Sequence, residues 1–291
     1  MSKYLGRCKT GRYLTVLSFF LALFFVSTTS AAAEKGRLYV VGMGPSGPDL
    51  TAPRALSVIE SADIFLCSPG MPKKFALFKK YIDPAKVAFN PWKEVRSDAL
   101  RKLKETDPKA WEAGIEKGRK KVQDFIRDKI NAGKTVVIMD GGDPCVYGPT
   151  LYYLLKGFDP DLFEVVPGMG AFNAASAALK QSLTPDGERF ILLTAPRSLF
   201  GENWEKDDDI LKDLSKYKTT MVWYMALRSL DKVVQRFEKY YPKDLPIAIV
   251  YYAGYPDKEK VLRSNLGNIL EDVKKMDEWW LGLFITGQCA K

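Results

Sequence analysis

Short runs of β-branched and aliphatic residues recur along the chain after Arg37, and most are followed by a loop and then a helical pattern. The runs at 63–67, 135–139 and 162–166 are largely apolar and do not alternate with polar residues. Strands of a parallel sheet have this composition when helices cover both faces, because each strand is then buried on both sides. The pattern predicts an α/β fold whose N-terminal sheet is mostly parallel, with helices on both faces.

The first part of the chain carries alternating strand and helix signals as far as residue 179. Strands are predicted at 37–42, 62–67, 135–140 and 162–168. Helices are predicted at 51–61, 108–132, 149–157 and 170–179. We expect Thr51 to be the N-cap of the first helix, since a threonine side chain can accept a hydrogen bond from the first helical turn.

The rhythm changes after Thr184, where one clear helix, 229–241, lies among several strands. The strands are predicted near 189–194, 219–224, 246–252 and 280–286, and 253–264 is predicted to hold a turn and a short strand. These signals indicate a second α/β domain with a mixed sheet. We predict domains at 34–170 and 171–291, and we treat 1–33 as a separate segment.

That segment has the composition of a secretory signal peptide or an N-terminal membrane anchor. It carries four basic and no acidic residues, a 13-residue apolar run at 14–26, and an Ala-Ala-Ala cleavage pattern at 31–33. Removal of 1–33 predicts an exported, periplasmic protein. Retention predicts a tether through 13–29, and the protein is expected to be cytoplasmic if neither holds.

Composition excludes several kinds of chemistry. The chain has no histidine, which removes Ser-His-Asp and Cys-His nucleophiles, HExxH zinc sites and an imidazole base. Its four cysteines form no CxxC pair, which argues against zinc ribbons and thioredoxin-like centres. Without 1–33 the formal charge falls from +9 to +5, because that segment holds four of the 44 basic residues. This mild excess suits acidic small molecules, and we expect no nucleic-acid partner.

The first motif, VGMGPSGPDL at 41–50, matches the spacing of a dinucleotide fingerprint. In a Rossmann unit the helix starts within the glycines, whereas Pro45 and Pro48 keep this segment extended. Three interpretations stay open: a dinucleotide site, a structural turn, and a loop that lines a pocket at the carboxyl end of the strand.

Two more glycine-containing motifs follow later strands. In DGGDPCVYGPT (140–150), the glycines allow close approach to a ligand, and Asp143 either faces that ligand or caps its own turn. In VPGMGAFNAASAAL (166–179), small residues on an early helical turn leave a flat surface for a planar ligand or for another helix.

Taken in order, these motifs and two later ones resemble the tetrapyrrole methylases, also called corrin/porphyrin methyltransferases. The later motifs are VWYM at 222–225 and IAIVYYAGYPDKEKVLRSNLGNI at 247–269, and the resemblance runs from about 37 to 287. It implies a two-domain α/β fold that forms a homodimer. It also implies S-adenosylmethionine in the cleft between the domains, with a precorrin- or uroporphyrinogen-like acceptor above it.

Residue by residue, the family's cofactor positions fall on all five motifs. They are Pro45, Gly141, Gly142, Asp143, Val146, Ala171, Phe172, Met225, Ala253 and Gly254. Methyl transfer from a sulfonium depends on alignment more than on acid–base groups, which agrees with a chain that lacks histidine. The sequence predicts no metal site and leaves the catalytic residue unidentified.

The acceptor is less well defined by the motifs. Uroporphyrinogen-III methylases carry an aspartate shortly after the second strand, where this chain has Ser68, and the GGDPxxYG form is closer to the precorrin and cobalt-precorrin enzymes. Arg197 and Arg228 are the predicted binders of acceptor carboxylates, and Lys73 and Lys74 are weaker candidates for which a solvated surface is the favoured interpretation.

The resemblance therefore implies an S-adenosylmethionine-dependent C-methyltransferase that acts on a tetrapyrrole, as in porphyrin, corrin and cobalamin biosynthesis. The alternative is an exported tetrapyrrole- or small-molecule-binding protein that has kept the methylase cleft without catalysis. The alternative is motivated by the N-terminal segment, because S-adenosylmethionine is made and kept in the cytosol.

Overall fold

The computed structural model describes residues 36–67, 76–206, 210–278 and 281–291. The predicted signal peptide or anchor lies outside these residues, as do Lys73, Lys74 and Ser68. Among the described residues, the helices are all too short or too polar to cross a membrane.

The first half of the described chain builds one five-stranded sheet. Its strands are β1 (Leu38–Gly42), β2 (Ile64–Leu66), β3 (Val87–Phe89), β4 (Val136–Asp140) and β5 (Phe163–Val166). Its helices are α1 (Pro53–Ser61), α2 (Trp92–Val95), α3 (Asp98–Thr106) and α4 (Pro108–Asn131), with a π-helix at Thr150–Leu154. The strand order is β3-β2-β4-β1-β5, and all neighbours are parallel, as the unbroken apolar runs predicted.

Both faces of this sheet are covered. On one face α4 packs Val122, Ile126 and Ile130 against β1 and β4, and the π-helix and the residues after it pack there too. On the other face α1 contributes Ala55 and Ile59. The segment that follows β1 therefore passes to one face of the sheet, and the segment that follows the neighbouring strand β4 passes to the other face. Open α/β sheets bind their ligands beyond the carboxyl ends of such a strand pair.

The second half builds a mixed sheet. Its strands are β6 (Phe190–Thr194), β7 (Thr219–Trp223), β8 (Pro246–Tyr251), β9 (Lys260–Asn265) and β10 (Gly282–Thr286), and its helices are α5 (Ala171–Leu179), α6 (Pro196–Phe200), α7 (Ile210–Ser215), α8 (Leu230–Glu238) and α9 (Ile269–Asp272). The order is β6-β7-β10-β8-β9, with only the β6–β7 pair parallel. Helix α8 packs on one face and α5 on the other.

Short 3₁₀ turns complete the elements. They lie at Pro48–Leu50, Ala76–Phe78, Pro84–Lys86, Pro160–Leu162, Ala226–Ser229, Val273–Lys275 and Gln288–Ala290.

Two predictions at the level of elements were wrong, and three elements were missed. Thr51 is not the N-cap of α1, which is Ala52, because the Thr51 hydroxyl donates to the carbonyls of Met43 and Gly47. Helix α1 begins at Pro53, since a residue that precedes a proline disfavours the helical conformation. The predicted helix 149–157 shortens to the π-helix. The sequence pattern also missed β3 and the helices α2 and α3, which are short or strongly polar.

Candidate functional site

The loops that follow β1 and β4 join each other directly. Gly44 and Gly142 form an isolated antiparallel bridge, with N–O distances of 3.2 Å and 2.7 Å. Both glycines have positive φ, +74° and +75°, a backbone conformation that other residues adopt only with strain. The first two glycine motifs therefore form one continuous backbone surface at the carboxyl ends of the central strands, which we call the floor of the cavity.

The third motif closes against the same floor. A Cβ atom on Gly42 would lie 2.5 Å from the Gly168 nitrogen, and a Cβ on Gly168 would collide with the Gly142 carbonyl. Only glycine lets three chain segments approach this closely. The three motifs, which are far apart in the sequence, therefore meet at one place.

The second sheet provides the opposite wall, so that a cavity of about 550 Å³ lies between the two. The part of the wall that belongs to the second sheet consists of residues at the ends of β7 and β8 and at the start of β10. The cavity is lined by Gly44, Pro45, Gly141, Gly142, Asp143, Val146, Tyr147, Tyr152, Gly170, Ala171, Tyr224, Met225, Val250, Tyr252, Ala253, Tyr255, Leu281, Gly282 and Leu283.

Most of the predicted cofactor positions lie in this lining. They are Pro45, Gly141, Gly142, Asp143, Val146, Ala171, Met225 and Ala253. Phe172 and Gly254 are outside it. Phe172 packs against the core between α5 and the second sheet. Gly254 lies behind the first loop, where a Cβ on it would be 3.5 Å from Pro45 Cγ, and its N–H donates to Glu259.

Asp143 has both of the properties that the sequence left as alternatives. Its Oδ1 accepts the Cys145 N–H at 2.9 Å, so the side chain stabilises its own turn. The same side chain lines the cavity and is the only charged one to do so among the described residues. Its binding role stays a prediction.

The predicted carboxylate-binding arginines are outside the cavity lining. Arg197, on α6, forms an ion pair with Glu202 at 3.0 Å and is largely exposed. Arg228 lies in the 3₁₀ turn Ala226–Ser229, beyond the cavity-lining Met225. Arg197 follows β6 and Arg228 follows β7, so both lie beyond the carboxyl ends of this parallel pair of strands. A role for either arginine in holding an acceptor that extends beyond the cavity stays a prediction.

Sequence reasoning missed a set of tyrosines in the lining. They are Tyr147, Tyr152, Tyr224, Tyr252 and Tyr255. All but Tyr152 stand inside or beside the motifs quoted above, so their position in those motifs was an available signal. Burial raises the pKa of Tyr224 to about 12, and the hydrogen bond to Glu278 raises the pKa of Tyr252. Both phenols therefore stay neutral at physiological pH and present uncharged aromatic faces to the cavity.

Strained backbone is concentrated at the cavity. Tyr147, Met225 and Tyr252 have φ values of 59°, 57° and 48°, and they make up three of the five non-glycine residues with positive φ in the described part of the chain. Such a conformation costs on the order of 1 kcal/mol per residue, and it is typical of functional sites. The fold keeps these three side chains in place against their backbone preference.

A buried carboxyl group connects the two ends of the loop that carries the second motif. Asp140, the last residue of β4, accepts a hydrogen bond from the Thr150 hydroxyl at 2.8 Å, and its other oxygen is buried without a described partner. Burial raises the pKa of Asp140, and the hydrogen bonds from Thr150 oppose that effect. The two ends of the loop 141–149 are thus joined by one side-chain contact.

Comparison with known proteins assigns the family. The model of the tetrapyrrole (corrin/porphyrin) methylases matches residues 37–270. The cobalt-precorrin-4 C(11)-methyltransferase of Methanocaldococcus jannaschii is 28% identical over 257 residues, which cover 87% of each chain.

Solved structures share the fold. A cobalt precorrin-4 methyltransferase of cobalamin biosynthesis superposes with a TM-score of 0.67 at 24% identity, covering 88% of this chain and 96% of its own. The uroporphyrin-III C-methyltransferase of Thermus thermophilus, complexed with S-adenosylhomocysteine, has a TM-score of 0.58 at 21% identity, covering 87% and 98%. The family match spans most of the chain, and this chain therefore belongs to the tetrapyrrole methylases, which are S-adenosylmethionine-dependent methyltransferases.

Proposed function

We propose that this enzyme transfers the methyl group of S-adenosylmethionine to a ring carbon of a tetrapyrrole of the precorrin or uroporphyrinogen type. The observation that carries the proposal is the meeting of three glycine motifs at the carboxyl ends of β1, β4 and β5, facing the strand ends of a second sheet. The cavity between them is large enough for a small ligand, and apart from Asp143 its described lining consists of backbone and uncharged side chains.

The residues present fit S-adenosylmethionine. A Cβ on Gly141 would meet nothing within 4 Å, so the backbone there is open to a ligand at close range. Asp143 offers a carboxylate for the cationic part of the molecule, and neutral tyrosine faces attract a cation through the ring quadrupole. Met225 offers an apolar contact for the adenosyl group. When bound, S-adenosylmethionine supplies a methyl group on a positively charged sulfur.

The chemistry asked of the protein is alignment. A displacement at a methyl carbon requires the acceptor carbon to lie in line with the sulfur, and holding two reactants in that geometry lowers the barrier by several kcal/mol. A partly enclosed cavity with one carboxylate and no histidine suits this task better than acid–base catalysis. The glycine floor holds one reactant, and the open side of the cavity admits the other.

Among tetrapyrroles, we favour a precorrin-type ring. The GGDPCVYG form of the second motif supports this choice, and so does the cobalt-precorrin-4 methyltransferase relative, which modifies C11. Methylation of cobalt-precorrin-4 at C11 is the specific reaction to test first. Loss of catalysis, as in the alternative binding protein, has no support from the relatives, whose names describe active methyltransferases.

The test has a binding arm and a reaction arm. Calorimetry on the purified protein should give S-adenosylhomocysteine binding well below millimolar Kd. Incubation with S-adenosylmethionine and cobalt-precorrin-4 should add one methyl group to the acceptor, detected by mass spectrometry. Binding without transfer to any precorrin or to uroporphyrinogen III would support the binding-protein alternative, and the lack of any S-adenosylhomocysteine binding would refute the methyltransferase function.

We further propose that the enzyme is a homodimer, on the strength of its family membership. Light scattering after size-exclusion chromatography should give twice the mass of the monomer. A monomer over the whole accessible concentration range would contradict this proposal and would leave the reaction itself untouched.

The N-terminal segment carries a separate proposal: it exports the protein or tethers it to a membrane. Its support is the basic region followed by the apolar run 14–26. A reporter that is active only outside the cytosol, fused after Lys35, should become active, because the basic end of such a segment stays inside. An inactive reporter, with an active cytosolic reporter at the same position, would place the enzyme in the cytoplasm.

A further inference from the structure

A second, smaller cleft lies beside helix α8 and shares no described residue with the cofactor cavity. Its volume is about 320 Å³, and its described lining consists of Trp204, Lys232, Gln235, Arg236 and Lys239. Trp204 belongs to the loop 201–206 that follows α6, and the other four residues belong to α8 and to the residue directly after it. We call it the basic cleft.

The described lining of the basic cleft is rich in hydrogen-bond donors and positive charge. It holds two lysines, one arginine and one glutamine, and no aspartate or glutamate. Lysine and arginine side chains only donate hydrogen bonds, and the glutamine amide adds two more N–H groups. A ligand that matches this set carries negative charge and several acceptor oxygens, which are the properties of a phosphate group.

Helix periodicity places the three cations on one face of α8. Lys232, Arg236 and Lys239 are spaced by four and by three residues, so they are neighbours on the helix surface. The opposite face buries residues such as Val233 and Phe237 against the second sheet. Like charges at this spacing destabilise a helix, and a bound anion relieves their repulsion.

The described acidic residues of the loop 201–206 are used outside the basic cleft. The Glu202 carboxylate accepts from Lys104 of α3 and pairs with Arg197 at 3.0 Å. The Glu205 carboxylate accepts the Asn203 N–H of its own loop at 2.8 Å. Neither glutamate lines the cleft, so neither reduces the positive charge of its described lining.

Trp204 is fixed as one wall of the basic cleft against its backbone preference. Its φ is 63°, a left-handed conformation that is typical of functional sites when a non-glycine residue adopts it. Its ring stacks on the Phe200 ring with centroids 5.1 Å apart, and its carbonyl accepts from Arg236 Nη2 at 3.1 Å. The wall of the cleft is therefore formed before a ligand binds.

Lys232 is the cation with the most capacity for a ligand. Arg236 and Lys239 are also engaged by other parts of the chain. The described contact of Lys232 is with the Trp204 ring, whose centroid is 5.6 Å from Nζ, and its side chain is exposed. An ammonium group above a ring keeps its N–H donors available on the side that faces the cleft or solvent.

We propose that the basic cleft is a binding site for a small phosphate-bearing anion, with Lys232 as its principal charge and Gln235 and Arg236 beside it. The volume of the cleft lies within the range of small-molecule sites. Free phosphate esters and phospholipid headgroups both carry this chemistry, and the experiment below separates them. The proposal is independent of methyl transfer, because the cofactor cavity is lined by other residues.

The first experiment titrates inorganic pyrophosphate into the full chain by calorimetry, at low and at physiological salt. The first variant is Lys232→Gln. Its matched control is Lys80→Gln, because Lys80 is also exposed and its Nζ lies 5.7 Å from the centroid of the Tyr81 ring, away from the cleft. Melting temperatures of all proteins establish that the variants fold.

A second pair of variants reverses the charge. Gln235→Glu adds a carboxylate to the cleft, and Gln181→Glu adds one at an exposed position outside it. S-adenosylhomocysteine binding is measured in every variant and should stay the same, since none of these residues lines the cofactor cavity.

We expect pyrophosphate binding that weakens as salt rises, since salt screens exposed charges. Lys232→Gln should weaken it by roughly three- to fivefold, the effect of one solvent-exposed charge pair. Gln235→Glu should weaken it further, and the two control variants should leave it unchanged.

Vesicles distinguish the two sources of phosphate. Sedimentation with phosphatidylglycerol vesicles, compared with phosphatidylcholine vesicles, is measured for the wild type and for Lys232→Gln. Binding to phosphatidylglycerol that Lys232→Gln reduces identifies a lipid headgroup as the ligand. Pyrophosphate binding without such a difference between the two proteins identifies a soluble phosphate ester.

Three results would overturn the proposal. The first is a lack of pyrophosphate binding, and the second is binding that Lys232→Gln and Lys80→Gln weaken equally. The third is binding that appears only after Asp207, Asp208 and Asp209, which follow the loop in the sequence, are all changed to Asn. That result would show that the acidic run of the chain itself fills the basic cleft.

Discussion

Asp143 shows how little a local turn reveals about function. Three Asp-Pro pairs in the chain form the same structure: Oδ1 of Asp83, Asp143 and Asp159 each accepts the N–H two residues later, at 2.9, 2.9 and 3.0 Å. The sequence predicts all three turns equally well. Only Asp143 lines the cavity, because its turn follows a central strand that lies beside β1.

This likeness provides a controlled test of Asp143. Asp143→Asn should weaken S-adenosylmethionine binding by about 1.5–3 kcal/mol, the range for a hydrogen bond to a charged group. The melting temperature should hardly change, because the asparagine oxygen can still accept the Cys145 N–H. Affinity is measured by calorimetry and stability by thermal unfolding.

Two further variants complete that test. Asp159→Asn makes the same change in the same kind of turn and should leave both affinity and stability unaltered. Asp143→Ala removes the turn bond as well and should lower the melting temperature. Unchanged affinity in both Asp143 variants would reduce this residue to its role in the turn.

At the scale of elements, the loop 141–149 depends on the contact between β4 and the π-helix. Thr150 is fully buried, and its hydroxyl is the described side-chain donor to Asp140. We expect Thr150→Val to lower the free energy of unfolding by about 1–3 kcal/mol, since it preserves shape but removes the side-chain hydrogen bond to a buried carboxyl group. Urea unfolding measures this loss, and Thr150→Ser, which keeps the hydroxyl, should recover much of it.

The same contact predicts a pH dependence. The pKa of Asp140 is raised in the folded state, so the folded protein holds this proton more tightly than the unfolded chain does. Its ionisation therefore costs stability as pH rises above the ordinary aspartate range, about pH 4, toward neutrality. Asp140→Asn cannot ionise, and its stability relative to the wild type should improve over that interval.

Urea unfolding of both proteins at several pH values between about 4 and 7 tests this sign. Asp161→Asn, at an exposed site, serves as the control for loss of one charge. A relative stability of Asp140→Asn that falls with rising pH would show that Asp140 is stabilised as a carboxylate, contrary to its burial.

At the scale of the whole molecule, the cavity floor depends on the approach of three loops. Gly168→Ala places a methyl group against the Gly142 carbonyl and against Gly42. Overpacking of this kind costs about 1–3 kcal/mol, and relief requires the loops to separate. We therefore expect lower stability together with weaker S-adenosylhomocysteine binding, measured by unfolding and calorimetry.

Gly157→Ala is the matched control. Gly157 has φ of +76° but open space around its Cβ position, so alanine there strains only the backbone, by about 1 kcal/mol. It should lower stability without a change in affinity. If Gly168→Ala shows the same behaviour, the close approach of the three loops serves folding and not the cofactor site.

By itself, the sequence determined the features that depend on local physics. The apolar runs of β2, β4 and β5 predicted a covered parallel sheet, and the glycine and proline motifs predicted loops at the ends of strands. Both features follow from burial and from backbone sterics, which depend on residues that are close together in the sequence. The S-adenosylmethionine assignment came from the order of the motifs, and the family match confirms it.

Only the tertiary structure decided what those loops face. The bridge between Gly44 and Gly142 exists because β1 and β4 are neighbours although some ninety residues separate them, and no local preference specifies that order. The Phe172 side chain packs against the core and the Tyr152 side chain lines the cavity for the same reason, because packing against distant strands sets the orientation of each helix. Local physics shaped each loop, and the strand order brought the loops to one cavity.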